Sequence, residues 1–262
     1  MAVEDGKRGR GVGEERFVGT KRASDIRGMF HDISPTYDFL NHLLSLNIDT
    51  RWRRFTARKV MADRPVRVVD VCAGTGDLAI ELSNEARRLG WVTQVTAADF
   101  TPSMMRRGQT KFAKLQGGVA RPHPMVADTM KLPFPTGSFD LATVAFGIRN
   151  VTDLGAGLAE MARVCRPGGR VAVLEFSQPR NKAIAWCYNR YFFGVLPWVG
   201  RLISGSRAYT YLPKSVAKFP DGEEFSRLLS QATGGEVTRH TLTFGIATLY
   251  ISIVGKPGQS EG

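Results

Sequence analysis

The stretch VVDVCAGTGDLAIEL, residues 68–82, runs from an apolar, β-branched segment through a glycine-rich turn into a helix-spaced segment. A strand, a tight turn and a helix in that order open a βαβ unit, and such turns commonly hold phosphate on the N–H groups of the helix N-terminus. Here an acid stands on each side of the turn, Asp70 before it and Asp77 after it. Two unit charges ~4 Å apart interact by roughly 4 kcal/mol at an effective dielectric near 20, enough to spoil a phosphate site. No Lys followed by Ser or Thr closes the turn, which removes the P-loop as well. The turn suits a ligand with a cationic head.

Outward from the turn, the strand-like runs VRVVDVC, VTQVTAAD, HPMVAD, FDLATVAF and GRVAVLEFS alternate with helix-like segments over 77–89, 102–115 and 153–165. Such alternation predicts an α/β fold, a parallel sheet covered by helices on both faces. Thr101 stands at the cap of the 102–115 helix with Pro102 at its first position, and RPGGR (166–170) turns a helix into the fifth strand on a glycine. After a helix near 221–232, EVTRHTLTFGIATLYISIVGK reads as two strands joined by a tight turn, an antiparallel edge.

Ahead of the sheet, Ile26, Met29, Phe30 and Ile33, then Tyr37, Leu40, Leu43 and Leu44, recur at helical spacing. Two or three short helices are expected there, with Ser34, Pro35 and Thr36 as a cap and first turn. Residues 1–22 lack apolar periodicity and read as a mobile basic arm. One domain over 23–257 is expected: a helical lid over 23–62 and a sheet core over 66–257, carrying an insertion at 180–213.

Asp99 ends the strand after the turn, where an acid can accept from both ribose hydroxyls, and Asp128 ends the next, beside Thr129, where an adenine amino group would lie. Each acid has a plainer reading: Asp77 as a first-turn helix charge, Asp99 as an acid before a helix, Asp128 as a turn former. Together, at successive strand ends beside a glycine-rich turn, they point to S-adenosylmethionine, which carries a sulfonium, an ammonium and an adenosine but no phosphate. Asp70, Gly74, Thr75, Gly76, Asp99, Asp128 and Thr129 are the candidate cofactor residues.

The chain has 262 residues, 36 Lys and Arg against 24 Asp and Glu, and a formal net charge of +12, so nucleic acid, anionic lipid or an acidic partner would suit it. Cys72, Cys165 and Cys187 have no paired spacing, which disfavours disulfides and zinc and fits a reducing cytoplasm. No run reaches the ~18 apolar residues of a membrane span, and the N-terminus has no apolar core for a signal peptide.

Five segments carry a resemblance to a known family: YDFLNHLLSLNIDTRWRR (37–54), DVCAGTGDLA (70–79), LPFPTGSFDLATVAFGIRNVTD (132–153), EMARVCRPGGRVAVLEFSQP (160–179) and YLPKSVAKFPDGEEF (211–225). In these the chain resembles the ubiquinone/menaquinone biosynthesis C-methyltransferases, class I S-adenosylmethionine-dependent enzymes. The resemblance implies a Rossmann-like, seven-stranded, mostly parallel sheet with an antiparallel last strand. It implies methyl transfer to a ring carbon of a polyprenylated quinol, demethylmenaquinol first and a methoxy-polyprenyl-benzoquinol second. It also implies cofactor contacts at Thr75, Asp99, Asp128 and Thr129. Ala145 stands where some members place a serine near the cofactor, so no side-chain hydrogen bond is available there, and Ala73 replaces the first glycine of the commoner GGTGD.

Carbon methylation needs an electron-rich ring carbon, so activation of a quinol hydroxyl carries the catalysis. Arg149 is the first candidate for stabilising the quinol oxygen, with Asn150 orienting it. An arginine cannot take the proton near neutral pH, so a water or a second residue must. Tyr37 is a candidate from the lid, with helix packing an equally good account of it. His31 reads as a partly exposed helix residue, and His42, His123 and His240 as structural.

The aromatic, arginine-bearing segment 186–213 reads either as a packed helix with solvated Arg190, Arg201 and Arg207, or as a wall for a polyisoprenoid tail at a bilayer surface. Peripheral attachment to the inner face of the membrane is the expectation, with no metal, no nucleic acid and a homodimer left open. A nucleic-acid methyltransferase is the main rival, but AFGIRNV lacks the Asn/Asp-Pro-Pro-aromatic pattern of base-amine methylation. A basic RNA-binding module has no stacking-sheet motif to support it, and the acids at the turn disfavour a dehydrogenase.

Overall fold

A computed structural model describes residues 23–34, 38, 42, 45–195 and 208–255. Helices α1 (Ala23–Ile33) and α2 (Ile48–Met61) precede β1 (Arg67–Val71), α3 (Asp77–Arg88), β2 (Gln94–Asp99), α4 (Pro102–Ala113) and β3 (His123–Val126). Then come β4 (Phe139–Ala145), α5 (Leu154–Val164), β5 (Cys165–Phe176) and α6 (Lys182–Asn189). A π-helical stretch (Arg190–Val195), α7 (Ala208–Lys218) and α8 (Gly222–Thr233) lead to β6 (Val237–Leu242) and β7 (Ala247–Ile253). The seven strands form one sheet in the order β3-β2-β1-β4-β5-β7-β6. Only β7 runs against the rest, pairing antiparallel with both β5 and β6.

The α/β alternation is therefore present, and the tail differs in one respect. The terminal hairpin does not add two strands outward; β7 inserts between β5 and β6, leaving β6 at the edge. Burial explains the order. β7 is buried on both faces, Ala247 and Leu249 on one and Thr248, Tyr250 and Ser252 on the other, whereas β6, VTRHTL, has no fully buried residue, as suits an edge strand.

β1 is buried at every position but Arg67, the signature of a central parallel strand covered on both sides. On one side Val69, Val71, Leu158, Met161, Phe225 and Leu229 pack beneath α5 and α8. On the other, Val60, Met61, Val68, Leu78 and Leu82 pack beneath α2 and α3. Each fully buried side chain of this size contributes about 1.5–3 kcal/mol of transfer free energy. A third cluster ties α1 to the body through Ile33, Met104, Tyr188, Phe192 and Val216.

The glycine turn is shaped by its neighbours as much as by its ligand. Gly76 starts α3 at φ 86°, and a Cβ there would overlap the Phe112 ring on α4, so both backbone and packing require glycine. Thr101 occupies the cap position of α4 but makes no capping bond; its own N–H donates to Asp99 Oδ1 at 2.8 Å. Gly168 in RPGGR has φ 77°, as expected, yet the chain is already strand from Cys165, and pairing shifts from Phe139 with Cys165 to Leu141 with Arg170. The expected turn is a bulge that opens β5. No helix among the described residues is long and apolar enough to cross a membrane.

Candidate cofactor cleft

β1 lies between β2 and β4, where successive connections leave in opposite directions and open a crevice at the carboxyl ends of the strands. A cleft of about 710 Å3 occupies this place, floored by Cys72 and Gly74 after β1 and roofed by Ile26 and Phe30 of α1. The cleft opens to solvent, and this volume includes the open space at its mouth.

Asp99 is at its centre, buried at the end of β2. Oδ2 accepts from the Gly74 N–H at 2.8 Å and Oδ1 from the Thr101 N–H at 2.8 Å. Burial pushes its carboxyl above the usual range, and those two N–H groups, with the Thr101 side chain, draw it part of the way back. A carboxylate has about four lone-pair sites, so each oxygen can still accept one ribose hydroxyl. Asp128 lines the cleft and fixes its own turn by accepting from Met130 N–H at 2.9 Å. Thr129 lies beside it, buried, with its hydroxyl 3.2 Å from Cys72 Sγ. Asn150 enters from the turn after β4. Gly147 lets that turn approach β1, since a Cβ there would overlap Cys72 Cβ.

Other candidate residues sit elsewhere. Asp70 lies beneath the turn, not in the cleft lining; it accepts from Thr143 Oγ1 at 2.8 Å, and burial pushes its carboxyl up to about 7. Thr75 is buried with its hydroxyl donating to Asp38 Oδ1, while Lys111 Nζ donates to Thr75 Oγ1 at 3.1 Å. Gly76 serves the start of α3. Ala145 packs against the apolar cluster around Trp52 and Phe146. Arg149 is not presented to the cleft: its Nη1 donates to Phe146 O and, at 2.7 Å, to Glu175 Oε1. A buried carboxylate and a nearby carbonyl outcompete a solvent-facing pose. Tyr37 lies outside the described residues, as do Arg201 and Arg207. His31 is exposed, as expected.

The charge balance at the turn also changes. Lys111 Nζ pairs with Asp77 and, at 2.9 Å, with Asp38. His42, placed above as structural, contacts Asp49 at 3.0 Å and Asp77 at 3.8 Å. After the desolvation that opposes it, Arg53 and Lys111 hold the Asp77 carboxyl below its ordinary value. Asp70 and Asp77 thus do not line the cleft. Exclusion of phosphate rests on Asp99 and Asp128, with no Lys or Arg among the residues lining the cleft.

Phe100, Met130 and Phe146 add apolar walls that sequence reasoning missed; Phe100 follows the β2 acid directly, which was the available signal. Glu175 was also missed, although a lone acid in the apolar run VAVLEFS is conspicuous. No group of three or more His, Cys, Asp or Glu among the described residues could hold a metal.

A mixed sheet of this order, with a cleft at its switch point lined by carboxylates and by no Lys or Arg, fits adenosine and a cationic methyl donor and defines an S-adenosylmethionine-dependent methyltransferase. A solved methyltransferase of Thermotoga maritima, described as a possible histamine N-methyltransferase, shares the fold at a TM-score of 0.55 and 16% identity, over 86% of this chain and 99% of that one. The sequence profile of the ubiE/COQ5 methyltransferase family matches residues 17–254, and the chain belongs to that family. It is 43% identical over 231 residues to the ubiquinone/menaquinone biosynthesis C-methyltransferase UbiE of Geobacter sulfurreducens, covering 88% of this chain and 89% of that protein. It is 41% identical over 237 residues to the demethylmenaquinone methyltransferase of Deinococcus radiodurans, covering 89% and 95%.

Proposed function

We propose that the chain methylates a ring carbon of a polyprenylated quinol, demethylmenaquinol first and a methoxy-polyprenyl-benzoquinol second. S-adenosylmethionine supplies an electrophilic methyl group on a sulfonium. Asp99 would hold its ribose, Asp128 and Thr129 its adenine, and Gly74 lets the backbone approach. Phe146 and Asn150 would meet the quinol from the side of β4, the ring against the phenyl face and the amide toward a hydroxyl. Arg149 would act from behind this wall, fixing the Phe146–Asn150 turn and placing positive charge near the oxygen that becomes anionic.

The observation that carries this reading is the pairing of two carboxylates with apolar walls in one cleft, in a chain of this family. The experiment is transfer of label from S-adenosylmethionine to demethylmenaquinol or to the methoxy-benzoquinol; label in neither refutes it.

A long-tailed quinol lives in a bilayer, so the enzyme must reach one. Lys182 and Trp186 on α6 and Arg190, the first residue of the π-helical stretch, recur every four residues and are exposed, Trp186 at 66%, while Tyr188 turns inward. A tryptophan flanked by cations suits the head-group region of an anionic membrane. Co-sedimentation with phosphatidylglycerol vesicles should fall with salt and with Trp186→Ala; equal binding to phosphatidylcholine vesicles would refute it.

A further inference from the structure

The turn between β6 and β7 presents a phenylalanine to solvent. Phe244 is 76% exposed, and the backbone at Thr243 and Phe244 holds φ of 43° and 58°. Ahead of α2, Leu46 is 71% exposed and holds φ of 52°. Left-handed backbone is uncommon outside glycine, most of all for a β-branched residue such as Thr243, and persists only where the surroundings enforce it. Single exposed apolar side chains are ordinary on a protein surface. Two of them, each on a left-handed turn and both at one end of the sheet, are not.

Strand direction fixes which end. β7 runs antiparallel to β5, and its first residue, Ala247, pairs with Phe176, the last of β5. The turn before β7 therefore stands at the carboxyl ends of the parallel strands, where the cleft opens. α2 leads back to the start of β1, which leaves Leu46 at that end too. One side chain joins the two turns to the cleft: Trp52 of α2 donates its Nε1–H to Thr243 Oγ1 at 2.8 Å, and its ring lies 5.8 Å from that of Phe146, a cleft wall. Ile48 packs in the same cluster as Leu242 and Ile246. Ser177 Oγ donates to Gly245 O at 2.8 Å, and a Cβ on Gly245 would press on Pro179, so the turn is held from behind while its tip faces out.

Cations frame the tip. Arg180 and Lys182 follow Pro179, and Arg51 lies in the first turn of α2; all three are exposed and have no salt bridge among the described residues. Asp49 of α2 is buried against Arg53, and Asp221 accepts the Gln178 N–H at 2.7 Å. An apolar tip among free cations complements a surface with anionic head groups over hydrocarbon.

We propose that Phe244 and Leu46 enter the acyl layer of an anionic bilayer, with Arg51, Arg180 and Lys182 at its phosphates, so that the mouth of the cleft is turned to the membrane. The inference deepens the quinol reading above and rests on it for its purpose: between the tip and the Phe146 wall stands one side chain, Trp52. It is separate from the head-group contact at Trp186, which needs no insertion.

An environment-sensitive nitrobenzoxadiazole dye on Phe244→Cys, in a Cys187→Ser background, reads insertion directly. The same dye on Val92→Cys, 86% exposed just before β2 at the other end of the sheet, is the control. With phosphatidylglycerol vesicles free of quinol, the dye at position 244 should brighten and shift to shorter wavelength, and the dye at position 92 should not. Phe244→Ser should lower partition into these vesicles about tenfold, Phe244→Trp should retain it, and transfer to a short-tailed quinol in solution should be unchanged in both. An unresponsive dye at position 244, equal responses at both positions, or unchanged partition of Phe244→Ser would overturn the proposal. Light scattering in which Phe244→Ser splits a dimer, with vesicle binding intact, would give the tip to a second copy of the chain instead. A responsive dye with no transfer to any quinol sinks the quinol reading alone; transfer with an unresponsive dye sinks the tip alone.

Discussion

Replacing Asp99 with alanine should weaken cofactor binding by a factor that follows from its geometry. Each carboxylate oxygen spends one lone pair on a backbone N–H at 2.8 Å, Gly74 on one side and Thr101 on the other, and keeps another for a ribose hydroxyl. A hydrogen bond to a charged group is worth about 1.5–3 kcal/mol net. Loss of one such bond alone is about a 10- to 150-fold rise in Kd. The same substitution strips an acceptor from two N–H groups beside the cleft, and water can reach them there, so the fold itself should suffer less than binding. Calorimetry with adenosylhomocysteine measures the first effect. The ligand-induced rise in melting temperature, which tracks RT ln(1 + [L]/Kd), measures it independently. Asp99→Asn, with one acceptor oxygen left, should lose less than Asp99→Ala. A Kd within threefold of wild type, with an unchanged ligand-induced rise, would refute the ribose assignment.

Other outcomes follow from the buried charges. Asp70 binds its proton more tightly folded, up to about 7, than unfolded, near 3.8, so stability falls as pH rises between these values. Asp70→Asn should therefore gain stability relative to wild type between pH 5 and pH 8, by an amount on the order of a few kcal/mol; an identical difference in melting temperature at both pH values would contradict this. Arg149→Met leaves Glu175 buried without its cation and should cost about 3–5 kcal/mol in urea denaturation, whereas Arg149→Met with Glu175→Leu should recover most of it. If the double variant is as unstable as the single one, the pair is not the source of the loss. Lys111 and Asp38 are each about one-third exposed, so a double-mutant cycle of Lys111→Met and Asp38→Asn should give a coupling of only about 0.5–1 kcal/mol. A coupling of zero would mean that the bridge from residue 38 to the glycine turn carries no energy.

Much of the architecture was legible because its causes are local. Continuous β-branched runs such as RVVDV mark strands buried on both faces, and Gly74 and Gly76 mark a turn with positive φ, 59° and 86°. Asp99 and Asp128 could be placed because an acid at a strand end stays at the rim of the sheet whatever packs around it. The helix carrying Ile26, Met29, Phe30 and Ile33 was legible as periodicity, whereas the one read from Tyr37 to Leu44 lies mostly outside the described residues; the ties of this region to the body were not legible. Asp38, Thr75, Asp77 and Lys111 meet across as many as 73 residues of chain.

What the sequence alone determined is the alternation, the turn, the two acids that face the cleft and, through its motifs, the family. Those features depend on neighbours a few positions away. The tertiary structure decided which carboxylates line the cleft, that Asp77 is paired with Lys111, that Arg149 is held by Glu175, and that β7 lies inside the sheet. Each of these depends on which distant groups share one small, poorly solvated volume, and there the cost of an unpaired charge, not local periodicity, selects the partner.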